Sequence, residues 1–274
     1  MRMTRRAALQ TFAATSVGIA TGIGSYGVLY APHHLRPVEL DVPITGLPPA
    51  FEGLRVGLLT DIHHSDSVPA EDVSQAVKLV IEARPDLVVL GGDYVTQAER
   101  RYMNPVGELL APLTSTRHGT FAVLGNHDDD REMPAALESR GVSVLKDART
   151  QVEINGERLD IAGIRFWTRG ISEIARVLRG TGGTTLLLAH DPRRLVEAAS
   201  LDVQLVLSGH THGGQVVLPG FGAPAARRFP VLAGLATREN TSLFVSRGVG
   251  TVYVPIRLNC PPDVSILTLR RRGT

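Results

Sequence analysis

The stretch Leu54-Arg55-Val56-Gly57-Leu58-Leu59-Thr60-Asp61-Ile62-His63 decides the fold, because an apolar run of strand character delivers an aspartate and a histidine at its end. Four more segments repeat the device. Leu87–Leu90 runs into Gly91-Gly92-Asp93, Thr120–Leu124 into Gly125-Asn126-His127-Asp128, Thr184–Ala189 into His190-Asp191, and Val203–Ser208 into Gly209-His210-Thr211-His212. Strands that all end in metal-seeking side chains are expected to bring them to one sheet edge, and a purely structural role gives no reason for that placement.

Between these runs lie helical patterns. Pro69–Arg84 carries Val73, Ala76, Val77, Val80 and Ile81 at helical spacing and is stopped by Pro85. Pro105–Leu113 reads as a short helix, Pro134–Arg140 as another with Gly141 just past its end, and Pro192–Ser200 as a third. The β-α-β-α-β alternation predicts parallel strands with right-handed crossovers. Val142–Leu145 continues the strands, and Asn155-Gly156 between Val152–Ile154 and Arg158–Ile164 calls for a tight hairpin, which breaks pure parallel order. Pro32–Phe51 reads as an extended lead-in or edge segment, and Gly213–Gly250 as a Gly- and Pro-rich stretch draped over the site. Val252–Ile256 and Val264–Leu269 alternate like closing strands.

With 274 residues, 43% hydrophobic and 20% charged, the chain can bury one sizeable core. The formal charge of +2 includes Arg2, Arg5 and Arg6, which leaves the remainder near −1, so no nucleic-acid face is expected. Cys260 is the only cysteine, which excludes an internal disulfide and a cysteine-based zinc cluster. The leader Thr4-Arg5-Arg6-Ala7-Ala8-Leu9 stands before Gln10–Ala31, a stretch with no charged residue. It resembles a twin-arginine export signal, and a retained signal anchor is the alternative. The expected organisation is therefore a signal or anchor over 1–31, a lead-in over 32–51 and a catalytic domain over 52–270. The twin-arginine translocase is the expected partner, with the domain exported or membrane-attached on the extracytoplasmic side.

The donor types define a chemistry. In a strand, residues two apart share a face, so Asp61 with His63 and His210 with His212 can each hold an ion. Asp93, isolated behind two glycines, is the natural carboxylate to bridge two cations, and Asn126 adds an oxygen without charge. Oxygen and imidazole donors without thiolate suit two divalent ions such as manganese, iron or zinc. Two such cations lower the pKa of a shared water from 15.7 toward about 7, giving a hydroxide for in-line attack on phosphorus. His127 is the candidate to protonate the leaving oxygen or stabilise developing charge, and Asp128 the candidate to hold its imidazole. Arg247 and Arg257 are candidates to grip phosphate oxygens, ahead of Arg227 and Arg228. His64, Asp66, Asp129 and Asp130 are expected on the loop surface and Trp167 in packing.

The ordered elements D-x-H, G-D, G-N-H-D, H and G-H-x-H resemble the signature of the calcineurin-like metallophosphoesterase superfamily. The resemblance implies an α/β fold, a four-layer α/β/β/α sandwich of two mixed β-sheets flanked by helices. It implies that Asp61, His63 and His212 hold one metal and Asn126, His190 and His210 the other, with Asp93 bridging and His127 catalytic beside Asp128. Leu47–Leu54, Gly213-Gly214-Gln215, Ser246–Gly250, Pro255-Ile256-Arg257 and Pro261–Val264 are similar to its exported or membrane-attached bacterial members. Many relatives carry Gly where this chain has Ser65. The function so implied is hydrolysis of a phosphate ester or a lipid-linked pyrophosphate at the cell envelope. The alternatives are a pyrophosphatase of the UDP-2,3-diacylglucosamine type in lipid A synthesis and an inactive binding scaffold of the same fold.

Overall fold

The computed structural model describes residues 5–272, so Arg2 and Thr4 of the leader lie outside the described residues. The described strands form two six-stranded sheets. In the first, β1 (Arg36–Ile44), β2 (Arg55–Leu59), β3 (Leu87–Leu90), β4 (Thr120–Ala122), β5 (Ser143–Val144) and β12 (Asp263–Arg271) lie in the order β1-β12-β2-β3-β4-β5. β2 to β5 are parallel, as the alternation requires, while β12 runs antiparallel to β2 and β1 parallel to β12. The Pro-rich lead-in is thus an edge strand, where its prolines need not donate to a second neighbour.

The second sheet holds β6 (Ala148–Ile154), β7 (Glu157–Gly163), β8 (Thr185–Leu188), β9 (Leu205–Ser208), β10 (Gly234–Arg238) and β11 (Thr241–Val245), in the order β10-β11-β9-β8-β7-β6. The β6–β7 turn is made by Asn155 at φ 51° and Gly156 at φ 79°, the positive pair that a tight hairpin needs.

Helices α2 (Ala70–Glu82), α3 (Arg100–Leu110) and α4 (Glu132–Glu138) cover the outer face of the first sheet, packing Val73, Val80, Met103, Val106 and Leu137 against Leu59, Val88 and Leu90. Helices α5 (Ile171–Val177) and α6 (Leu195–Ser200) cover the second, with Ile174 and Ala198 against Leu187 and Val206. Between the sheets, Val56, Leu58, Leu87 and Val89 meet Ile161, Leu186, Leu188, Leu205 and Phe244. The result is the α/β/β/α sandwich. Truncating one such side chain, Leu58→Ala for example, costs about 2–5 kcal/mol.

Several expectations change. The helix expected over Pro105–Leu113 starts at Arg100, with Pro105 inside it and a 3-10 turn at Ala111–Ser115. Val252–Ile256 is not a strand: Val254 and Ile256 donate to carbonyls only two residues back, and Tyr253 sits at φ 62°. Gly213–Gly250 contributes β10 and β11 besides a draped loop, and α5 falls in a stretch without a predicted helix. Ahead of the sandwich, α1 (Arg5–Ser25) leads into a π-helical turn at Tyr26–Tyr30. Gln10–His33 is long and apolar enough to cross a membrane, with a mean hydropathy of 1.3, and 7% of that window is buried.

Candidate metal centre

All five signature segments leave the C-terminal ends of β2, β3, β4, β8 and β9 on one rim of the sandwich. There Asp61, His63 and His212 present donor atoms within 4.8 Å of one another, and so do Asp93, His190 and His210. Asp93 Oδ2 lies 3.2 Å from His190 Nε2 and 3.5 Å from His63 Nε2, between the two groups. His63 Nε2 and His212 Nε2 stand 3.2 Å apart, and Asp61 Oδ1 is 3.4 Å from His212 Nε2 and 3.9 Å from His190 Nε2.

Neither pair two residues apart lies within a strand, the placement its spacing predicts. Asp61 and His63 lie beyond the end of β2, at φ 51° and 50°, and His210 and His212 lie beyond β9, at 70° and 51°. It is left-handed turns, not strand pleat, that send both members of each pair inward. Glycine makes the crowding possible: a Cβ on Gly125 falls 2.0 Å from Asp93 Oδ1, and one on Gly209 falls 2.1 Å from Asp61 Oδ2.

Electrostatics fit cations. Two buried carboxylates face four imidazoles, and burial raises the Asp61 pKa, whereas Asp93, despite burial, is held well below the usual carboxylate range by His190. Burial works to lower His190, but Asp93 outweighs it and pushes the imidazole up to about 10. His210 drops to about 3 and His212 falls well below its usual value, both chiefly through burial. His190 Nδ1 lies 2.8 Å from the Gly91 carbonyl, so that nitrogen carries the proton and Nε2 faces the centre. Asn126 Oδ1 is buried without a hydrogen-bond partner, and His190 Nε2 has only the Asp93 carboxylate within 3.2 Å, which suits atoms that can coordinate a cation. The donor set therefore fits two divalent ions, and its thiolate-free composition agrees with the expected metal class.

His127 borders the centre, its ring edge-on to His63 at 4.9 Å. Its backbone N–H donates to Asp93 Oδ1 over 2.8 Å, and its Nδ1 accepts from the Gln97 N–H over 3.1 Å, which leaves the ring proton on Nε2. Burial lowers its pKa, so the neutral ring is favoured. Asp128 does not hold this imidazole. Its carboxylate instead accepts from the N–H groups of Asp93 at 2.7 Å, Tyr94 at 2.8 Å and Gly125 at 2.9 Å, tying the second and third signature loops together. The backbone amide of Gln97 does the orienting, and no side-chain motif reveals a backbone donor in a sequence.

The arginines also differ from expectation. Arg257 is 0% exposed and donates to the carbonyls of Arg247, Gly248, Gly250 and Cys260, so its guanidinium braces the loop and cannot reach a substrate. Arg247 turns toward Asp263, at 4.0 Å. Arg228, ranked below both in the sequence, lines the cavity over the centre together with Phe229 and Tyr253. His64 is buried rather than on the loop surface, with its ring against Tyr102 and its Nδ1 2.9 Å from the Val68 carbonyl. Asp129 accepts from Arg131 and Glu132 at the start of α4, Asp66 pairs with Arg101, and Trp167 is exposed against Phe166.

Comparison with known proteins agrees with this geometry. Residues 54–214 match the family model for calcineurin-like phosphoesterases. The chain is 28% identical to the metallophosphoesterase YkuE of Bacillus subtilis, over 98% of both chains. It is 32% identical to the phosphodiesterase YaeI of Escherichia coli over 78% of this chain and 82% of that one. It is also 29% identical to a zebrafish (Danio rerio) transmembrane protein with a metallophosphoesterase domain, over 92% of this chain and 61% of that longer one. The chain belongs to the calcineurin-like phosphoesterase family and is a hydrolase of phosphoester bonds.

Proposed function

We propose that the protein is a two-metal phosphodiesterase held at the cell envelope by its N-terminal segment. The observation that carries this reading is the convergence of two donor triads on the single carboxylate of Asp93. Asp61, His63 and His212 would hold one cation and Asn126, His190 and His210 the other, with Asp93 shared. The bound pair supplies Lewis acidity toward the phosphoryl oxygens and acidifies a water. Manganese is the first ion to try.

The chain's own residues do the rest. Asp93 fixes the His127 backbone, and the Gln97 amide sets the tautomer that directs Nε2–H into the cavity, where it hydrogen-bonds the leaving oxygen. Asp128 keeps the Asp93 and Gly125 loops in register. In the π-helical turn near the C-terminal end of the apolar segment, the Gly27 carbonyl accepts from the Arg257 N–H over 2.9 Å, so the segment joins the domain beside the loop that borders the site. Attachment through 1–31 completes the reading, with the paired arginines Arg5 and Arg6 addressing the twin-arginine translocase and the domain on the extracytoplasmic side.

The test is turnover of bis(4-nitrophenyl) phosphate by the manganese-reconstituted full chain. His127→Ala should lower kcat by about 10²–10⁴-fold with metal content unchanged. Equal rates in the two proteins refute the role of His127, and absence of turnover in both refutes the diesterase reading.

A further inference from the structure

Two cavities flank one residue. On one side of Tyr253 lies the cavity of about 240 Å³ above the donor cluster, its wall mainly apolar through Ala225, Ala226, Phe229, Val252 and Val254, with Arg228 and Gln215 as polar members. On the other lies a groove of about 330 Å³, lined by Ser65, Ser67, Thr96, Gln97, Thr251 and the carboxylate-bearing Asp66 and Glu99. Tyr253 and Val254 belong to both walls. The groove is continuous with the catalytic residues: the Thr96 hydroxyl lies 3.2 Å from His63 Nδ1, and the Gln97 N–H is the group that orients His127.

Tyr253 is held for this position. It is 78% exposed, yet it sits at φ 62°, a conformation a bulky side chain adopts only when its surroundings enforce it. The enforcing group is Gln215, three residues past His212. This buried amide accepts from the Val252 N–H at 2.9 Å and donates to the carbonyls of Val252 at 3.3 Å and Val254 at 3.0 Å, clamping the backbone on both sides of the tyrosine. Its ring stands edge-on to His127 with centroids 5.8 Å apart.

The geometry points to Tyr253 as a specificity-determining partition between two substrate arms, with the groove of Ser65, Ser67 and Thr251 as a subsite for a hydroxyl-rich second ester arm. This rests on the phosphodiesterase reading of the metal centre and deepens it. A phosphodiester has two organic arms: the apolar cavity receives one, while the phosphate lies at the donor cluster and the second arm passes Tyr253 into the groove. The chemistry of the second arm follows from the lining. Hydroxyls and amides offer hydrogen bonds to a polyol. Asp66 and Glu99 share one partner, Arg101, at 2.7 and 2.5 Å, which leaves a net negative charge that disfavours an anionic arm. The substrate class is therefore an asymmetric phosphodiester with one apolar arm and one uncharged or cationic polyol arm.

Two chromogenic esters test this with the full-length reconstituted enzyme: 4-nitrophenyl phosphoglycerol, which carries a polyol arm, and 4-nitrophenyl phosphate, which has no second arm. Ser67→Leu, which fills the groove, should lower the ratio of their kcat/KM values by about tenfold or more, and Tyr253→Gly should lower it as well, since the partition is lost. A purely structural role for either residue lowers both substrates together, and an unchanged ratio overturns the proposal. Isothermal titration of 4-nitrophenyl phosphoglycerol into reconstituted His127→Ala protein reads the subsite without turnover. Adding Ser67→Leu should raise Kd by about fivefold or more, and an unchanged Kd overturns the subsite. If the wild type turns over neither ester, the diesterase reading falls, while the titration still decides the groove.

Discussion

Replacing Gly125 by alanine adds one methyl group and touches no donor chemistry, yet it should disable the centre. The new Cβ would lie 2.0 Å from Asp93 Oδ1, 2.6 Å from Asp93 Cγ and 2.6 Å from the Asp93 backbone N, so the shared carboxylate must retreat by about 1 Å or more to reach ordinary contact. It has nowhere to go without cost, because Oδ1 accepts from the His127 N–H and Oδ2 lies between His63 and His190. A displacement of about 1 Å in a catalytic constellation can lower the rate about 10²-fold. Overpacking of this kind costs about 1–3 kcal/mol, and each kcal/mol lowers Tm by about 2–4 °C in a domain of this size. The assay pairs metal content by elemental analysis with kcat on bis(4-nitrophenyl) phosphate and a thermal melt. Gly183→Ala is the control, since a Cβ there meets nothing within 4 Å. Two equivalents of metal and a wild-type kcat in Gly125→Ala would refute the idea that Asp93 must occupy this position.

Metal binding should displace a proton from His190, whose pKa is raised to about 10 because Asp93 outweighs its burial. Titration calorimetry of manganese into metal-free protein near pH 7.5, in buffers of different ionisation enthalpy, should report release of about one proton, and affinity should rise by up to about tenfold per pH unit below that pKa. In metal-free protein the His190 contribution to stability is fully present below its unfolded pKa and is lost as pH rises through about 10. Buffer-independent heats would count against this assignment. Asp128→Ala strips the common acceptor from three backbone N–H groups and should cost about 3 kcal/mol or more, hence about 6–12 °C in Tm. If Asp128 acted on the His127 ring alone, kcat would fall with Tm unchanged.

The parts of the fold carried by periodicity and punctuation were readable before any coordinates. β2, β3, β8 and β9 are uninterrupted apolar runs because each is covered on both faces, and Asn155-Gly156 announces its own turn. The seven residues proposed as metal donors could be picked out for the same reason, since each follows such a run. What failed was set by tertiary context. Val252–Ile256 alternates like a strand, but Gln215 takes up the backbone groups that a ladder would need. Arg257 looks like a phosphate ligand until its burial beneath four carbonyls is known. The backbone amide of Gln97 takes the role that residue type assigns to Asp128, because a backbone N–H is present at every non-proline position and sequence does not mark the one that matters.

The donors themselves explain why the centre is built on so rigid a frame. Asp61, His63, Asp93, His210 and His212 all lie at φ between 50° and 70°, where an L-residue loses roughly 1–2 kcal/mol. Five such residues forfeit roughly 5–10 kcal/mol, comparable with the whole net stability of an ordinary domain at about 5–15 kcal/mol. The turns persist because backbone bonds over-determine them: Asp61 N–H to the Gly92 carbonyl at 2.9 Å, His63 N–H to that of Asp93 at 3.0 Å, and Gly250 N–H to that of Asp61 at 2.7 Å. These bonds run between loops anchored on different strands, so each strained donor is fixed by a neighbour that is itself a donor or borders one. The buried parallel strands at the centre of the two mixed sheets supply the anchorage, and bound cations, by binding only the folded form, would return part of the loss. Strain in these loops and rigidity in the strands behind them are therefore two aspects of one requirement of the proposed centre, that its seven candidate donors be brought together before any metal binds.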